Sequence, residues 1–236
     1  MRRFLILIVV LVLLAVCVDR GACWFAQRSI AEQIQSEQNL AVRPDVTVRG
    51  FPFLTQVMRG RYQQIDATLQ DVAVDGSLTI DTVKIRLRGV QVSTREALRG
   101  DVTSVPVDAA TAVATVSYAS LNAAAKANLP DSTSKVEFGP GAGGALKITG
   151  AYRTSGFNAQ LNLQARLVAQ DGDLVVMLPS DALDGLPSAL RSSVRSLVTK
   201  ASRLPSLPFG FQAKSVTVSA SGITIQAASS ALKLER

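Results

Sequence analysis

Few residues in this chain can do chemistry, and their spacing argues against most of what they could do. There is no histidine. That removes Ser–His–Asp and Cys–His nucleophilic catalysis and His-ligated zinc or iron. The two cysteines, Cys17 and Cys23, lie near the N-terminus, Cys17 inside an apolar run, so they cannot build a Cys-rich metal site in a folded domain. Gly139-Pro140-Gly141-Ala142-Gly143-Gly144 has the spacing G-x-G-x-x-G. Pyrophosphate binding needs a helix N-terminus after those glycines. Ala145 to Thr149 reads instead as strand, so a hairpin loop is expected. Ser132 with Lys135, and Ser230 with Lys233, match S-x-x-K, but S-D-N and K-T-G companions are lacking. Asp66, Asp71, Asp75, Asp81, Asp101 and Asp173 are scattered singly over predicted strands and turns. No local pattern among them supports a glycosidase-type carboxylate pair.

What remains is cationic and apolar. Arg49, Arg59, Arg61 and Arg99 could line the entrance of a site for an anionic ligand. Arg86 and Arg88 read as the solvated face of a strand. The net charge is +7, of which residues 1–20 carry +2, leaving +5 for the rest. A modest positive excess suits anionic head groups or phosphates. Nucleic acid is not an expected partner, because no recognition motif is present and aromatics for stacking are only 5%. No cofactor is implied, and no catalytic residue is assigned.

The N-terminus sets the context. Arg2 and Arg3 precede an unbroken apolar run from Phe4 to Val18, ended by Asp19 and Arg20. The run fits a signal-peptide core and is short for a membrane span. Gly21 to Ala26 could complete a span, with Arg20 snorkelling or Asp19 and Arg20 paired. No A-x-A site is evident, and Leu14-Ala15-Val16-Cys17 carries Val where a lipoprotein box wants a small residue. Residues 1–23 are therefore read as a signal peptide or signal anchor, the anchor being favoured. The positive end stays inside, so the remainder faces outward.

Residues 24–236 read as a single domain. Phe25 to Gln38 continues as helix. Val46 and Val48 open a period-two pattern, and Gly50-Phe51-Pro52-Phe53 reads as a turn with two exposed-prone aromatics. Ile65, Ala67 and Leu69 alternate, as do Val83, Ile85 and Leu87. Asp75-Gly76 marks a hairpin, and Gly89 shifts the phase as at a bulge. Val105–Val116 is strand, 118–129 a short helix, Lys135–Phe138 and Leu146–Tyr152 a hairpin. Phe157 to Leu167 is the cleanest alternation, with Leu161 and Leu163 on its apolar side, and Leu174–Leu178 follows. Residues 188–204 read as an amphipathic helix with Val194, Leu197 and Val198 on its apolar face. Phe211–Ala220 and Ile223–Ala227 close the chain. The expected class is α+β: a long, curved, mostly antiparallel β-sheet wrapped around one or two amphipathic helices and preceded by an N-terminal apolar helix.

Three strings carry a resemblance. Val46-Thr-Val-Arg-Gly-Phe-Pro-Phe-Leu-Thr-Gln56 with Gly60-Arg-Tyr, Val113-Ala-Thr-Val-Ser-Tyr-Ala-Ser-Leu-Asn122, and Leu207-Pro-Phe-Gly-Phe211 with Ser215–Val218 and Gly222–Ile225 are similar to segments of the LmeA-like phospholipid-binding family of actinobacterial envelope proteins. The resemblance implies a non-enzymatic envelope protein, periplasmic or on the outer face of the cytoplasmic membrane. It implies binding of anionic phospholipids such as phosphatidylinositol, and a link to lipomannan elongation and its envelope glycosyltransferases. The resemblance carries over no site residues; from the apolar and cationic pattern itself, Ile65, Leu69, Val83, Ile85, Leu87, Leu161, Leu163, Val194, Leu197 and Val198 are the candidate acyl-chain lining, and Arg49, Arg59 and Arg61 the candidate head-group residues. The alternative is a membrane-tethered structural scaffold, with a solid core, that recruits envelope-assembly enzymes.

Overall fold

A computed structural model describes residues 2–74, 77–92, 104–128, 136–154, 157–179, 182, 191 and 211–235. By its internal contacts the chain divides into two units. The first is Met1–Leu69, Lys84–Ala110 and Ser230–Arg236; the second is Gln70–Val83 and Thr111–Ser229.

In the first unit the apolar run and the polar segment after it form one unbroken helix, α1 (Arg2–Glu37). Long aliphatic side chains with no Pro or Gly before Gly21 favour that continuity. Asn39 ends it in the left-handed region (φ 48°), and the Leu40 N–H returns to the Gln35 carbonyl at 3.0 Å. Strand β1 (Asp45–Arg49) follows, then α2 (Phe53–Arg59). Gly60 closes α2 at φ 63°, its N–H returning to Gln56 and Val57. Three 14-residue strands come next: β2 (Arg61–Val74), β3 (Leu78–Gln91) and β4 (Ser104–Ser117), each contributing to both units. Gly89 interrupts the alternation of β3 at φ 62°, so Ile85 and Leu87 are half-buried while Val90, not Gly89, is fully enclosed.

The second unit adds helix α3 (Tyr118–Asn128) and strands β5 (Val136–Pro140), β6 (Leu146–Thr154), β7 (Phe157–Gln170), β8 (Asp173–Met177), β9 (Gln212–Val218) and most of β10 (Gly222–Glu235). The clean alternation of β7 places Leu163 and Ala165 inside, opposite Ile148 and Leu146, while Asn162, Gln164 and Arg166 face out. The glycine-rich string is the β5–β6 connection: a 3₁₀ turn at Ala142–Gly144 leads into strand, not helix, with Pro140 paired to Leu146. Ser230 and Lys233 lie in β10, not on a helix.

The class is α+β, as expected, with one difference. The strands form two sheets rather than one: a six-stranded sheet ordered β1-β2-β3-β4-β10-β9 and a four-stranded sheet ordered β5-β6-β7-β8. Every pairing whose register is described is antiparallel. β10 also runs eight residues beyond the expected end at Ala227. The predicted hairpin turn at Asp75-Gly76, the helix 188–204 and Arg99 fall outside the described residues, Arg191 excepted.

Candidate functional site

An ion-pair cluster fixes which way the strands of the first unit face. Asp66 on β2 accepts from Arg86 Nε on β3 at 2.9 Å, from Gln64 Nε2 at 2.9 Å, and from Arg49 Nε on β1. Burial works to raise the Asp66 carboxyl, but these donors outweigh it and hold its pKa below the ordinary carboxylate value. Both arginines are more than half exposed, so the cluster contributes little stability. What it does show is orientation. If Asp66 and Arg86 share one face, side-chain alternation puts Ile65 and Leu69 of β2 and Ile85 and Leu87 of β3 together on the other. The β1–β2 register, Val48 opposite Ile65 and Val46 opposite Ala67, adds β1 to that face.

This apolar face is covered at one end and half-open at the other. At β1 it is roofed: Cys23, Val48 and Phe53 are 3–5% exposed and form one cluster, against which Ala22, Ala26, Val57, Tyr62 and Ile65 pack. Burial beside that cluster raises the Tyr62 phenol above its usual pKa. Farther along, Leu69, Ile85 and Leu87 are only half-buried. Such a surface can accept more apolar area, worth about 0.8 kcal/mol per methylene covered.

The roof is held by the Gly50–Gln56 string, several residues of which have separate tasks. Gly50 lies at φ 104°, where a Cβ would sit 2.7 Å from Gln56 Nε2 and 2.9 Å from Gln63 Oε1. The Phe51–Pro52 bond is cis. Phe53 enters the core beside Tyr62, their ring centroids 6.2 Å apart. The Leu54 N–H donates to Asp19 Oδ1 of α1 at 2.8 Å. Gln56, 6% exposed, accepts the Gln63 N–H at 2.9 Å and donates to the Arg49 carbonyl at 3.3 Å. Asp19 itself is 3% exposed and takes Arg20 at 2.6 Å, whose guanidinium lies 5.2 Å from the centre of the Phe51 ring. The turn expected here is therefore the lead-in to α2. Phe51 is exposed as expected, whereas Phe53 is core.

The predicted site residues separate. Ile65, Leu69, Ile85 and Leu87 share the first unit's face, Ile65 under the roof. Val83 is half-buried and belongs to the second unit, as does Leu163, which is 4% exposed and packed opposite Ile148. The side chain of Leu161 and residues Val194, Leu197 and Val198 lie outside the described residues. The three arginines do not converge on one group. Arg49 is held by Asp66, and Arg61 by Asp108 at 2.6 Å. Arg59, exposed at the end of α2, makes no ion pair among the described residues. A cleft of about 170 Å³ beside Trp24, Arg28 and Arg43 is smaller than the roughly 300–1,000 Å³ of usual ligand pockets.

Sequence reasoning did not find the second unit's polar joint. Asp81 accepts the Ser117 N–H (2.6 Å), the Ser117 hydroxyl (2.9 Å) and the Ser120 hydroxyl (3.1 Å) at the start of α3. Burial pushes its pKa up, and these hydrogen bonds more than reverse that. Asn122 pairs with both backbone groups of Phe138, and the Tyr118 hydroxyl donates to the Ser219 carbonyl at 2.7 Å. The signal was the Ser117-x-x-Ser120 spacing, a pattern of helix N-termini.

A family model described as LmeA-like phospholipid-binding matches residues 17–228. No curated protein and no solved structure matches the chain.

Proposed function

The chain belongs to the LmeA-like phospholipid-binding family, and on that premise we propose that it is a non-catalytic phospholipid-binding protein of the cell envelope, anchored by α1 to the outer face of the cytoplasmic membrane. The observation that carries this reading is the aliphatic face of β1–β3, roofed at β1 and half-open at Leu69, Ile85 and Leu87. An acyl chain laid along the open part replaces water over those side chains. Each methylene so covered gains about 0.8 kcal/mol, so a chain of ordinary length needs no catalytic or polar machinery to be retained.

Membrane attachment is supported by α1, which includes a stretch of mean hydropathy 2.7 with only 6% of its residues buried. That exposure distinguishes it from a core helix. Arg2 and Arg3 set the inner end. The head group of an anionic lipid such as phosphatidylinositol meets Arg59, the one member of the predicted arginine set without an ion pair among the described residues, in a chain of net charge +7. The protein thereby holds phospholipid for lipomannan elongation and for the glycosyltransferases that carry it out.

Native mass spectrometry of the full chain, extracted from a bacterial membrane in mild detergent, tests this. Near-stoichiometric phospholipid is expected, lost in Leu69→Asp and Leu87→Asp variants that keep the wild-type circular dichroism. A lipid-free mass, unchanged after incubation with vesicles containing phosphatidylinositol, overturns the reading in favour of the tethered scaffold.

A further inference from the structure

Outside α1, the described residues leave five large hydrophobic side chains exposed: Val42, Phe51, Leu54, Met58 and Met177. Three of the five fall within eight residues of one another, at 60%, 38% and 84% exposure for Phe51, Leu54 and Met58. Leu54 and Met58 are four apart on α2, and so lie on one side of it. Phe51 stands just before the same helix. This patch has a fixed position along α1, because Leu54 is hydrogen-bonded to Asp19 and Phe51 lies against Arg20.

Helix arithmetic then gives its depth. A hydrocarbon core of about 30 Å needs roughly 20 helical residues at about 1.5 Å each. Counted from Phe4, just inside Arg2 and Arg3, the span reaches Cys23. Trp24 and Phe25, both more than 60% exposed, then sit at the outer boundary, where aromatic side chains concentrate. Asp19 and Arg20 lie before that boundary, Asp19 by four residues or about 6 Å. Whatever touches them lies at the same level. An acidic side chain at that depth is costly unless enclosed and paired. Asp19 meets both conditions: it is 3% exposed, bound to Arg20 and capped by a backbone N–H.

We infer that the Phe51–Met58 segment is inserted into the outer leaflet beside α1, with Phe51 and Leu54 among the acyl chains and Met58 at their upper edge. The occupant of this apolar patch is the lipid surface itself. The segment also contains Phe53 and Val57, which roof the half-open sheet face, so insertion brings that face to the leaflet from which a phospholipid would be taken. Arg59 follows at once and reaches the phosphate level. This inference rests on the reading of α1 as the membrane anchor.

The test is fluorescence quenching on the full chain in vesicles of phosphatidylcholine and phosphatidylglycerol brominated near the ester end of the acyl chain. Trp24, the single tryptophan, is first replaced (Trp24→Phe). One reporter is then added at a time: Phe51→Trp or Met58→Trp for the patch, Leu11→Trp for the span, and Val42→Trp beyond the far end of α1. Quenched, blue-shifted emission is expected from position 51, weaker quenching from 58, quenching from 11 and none from 42. Where Phe51→Trp fails to fold by circular dichroism, Met58→Trp decides alone. Quenching at 11 without quenching at 51 or 58 overturns the inference and leaves the anchor standing. Absence of quenching at 11 overturns the anchor and the inference with it. Equal quenching at 42 and 51 also overturns it, because the contact would then not be confined to the patch.

Discussion

At the start of α2 a carboxylate 35 residues upstream takes the Leu54 N–H; at the start of α3 a carboxylate 36 residues upstream takes the Ser117 N–H. The two helix starts solve the same problem, the unsatisfied donors of a first turn, with an acid borrowed from another element. They differ in what they do with their other side chains. The start of α3 is polar and internally satisfied: Ser117, Tyr118, Ser120 and Asn122 each bind a named group within their own unit. The start of α2 buries Phe53 and Gln56 and leaves Phe51, Leu54 and Met58 outside. A joint whose only task is to hold the fold has no use for three exposed apolar side chains. On the inference that the Phe51–Met58 segment is inserted into the outer leaflet, the contrast separates a purely structural motif from one that also meets lipid.

Substitutions can break or sharpen this contrast. Phe53→Ala removes the aromatic centre of the α2 joint and should cost about 3–5 kcal/mol in denaturant unfolding. A cost below about 1 kcal/mol would mean that the Cys23–Val48–Phe53 cluster does not hold the roof. Asn122→Ala deprives both backbone groups of Phe138 of their partner, for a loss of about 1–3 kcal/mol by the same assay. Phe51→Ser should change stability by no more than about 0.5–1 kcal/mol, the worth of an exposed cation–π contact, while weakening vesicle association. A large loss of stability with unchanged association would make the two joints alike after all. The smallest effect concerns acid. Asp81 has a folded pKa below its unfolded value of about 3.9. Its contribution is therefore complete above that value and is lost as the pH falls through the folded pKa. Asp81→Asn should flatten the stability profile below about pH 4 and leave its slope above pH 6 unchanged, as measured by thermal melts across the range.

Much of this was legible in the sequence for reasons that are local. Alternation at Val83–Leu87 and Phe157–Leu167 gave strands because a strand's period is written in consecutive residues. The helix from Tyr118 ended within a residue of its expected limit. The Asp19–Arg20 pair was one of two arrangements expected there, and the helix expected to run to Gln38 stops at Glu37. What escaped was what depends on distant partners. Phe53 looked like an exposed turn aromatic because its companions, Cys23 and Val48, lie on other elements. The seven residues of α2 are too few for a helical period to stand out. Arg49 and Arg61 read as free cations because nothing nearby in sequence announces Asp66 or Asp108. The division into two sheets was hidden for a similar reason: alternation identifies a strand but not its neighbours. For the candidate site, the pattern marked Leu69, Ile85 and Leu87 as apolar, yet could not say that they would be only half-covered.

Cys23 carries a consequence for how this protein could be followed in time. Its thiol is 3% exposed, accepts from Gln27 Nε2 at 3.0 Å and points at the Val48 carbonyl 3.8 Å away. Cys17, the other free thiol, is exposed on the apolar run. A membrane-permeant maleimide therefore reaches Cys23 only when α1 lifts from β1 and α2, and a Cys17→Ala background leaves that thiol as the sole target. The ratio of its labelling rate to that of an unfolded control is the equilibrium constant for this local opening. One residue thus reports how often the roof comes off the sheet.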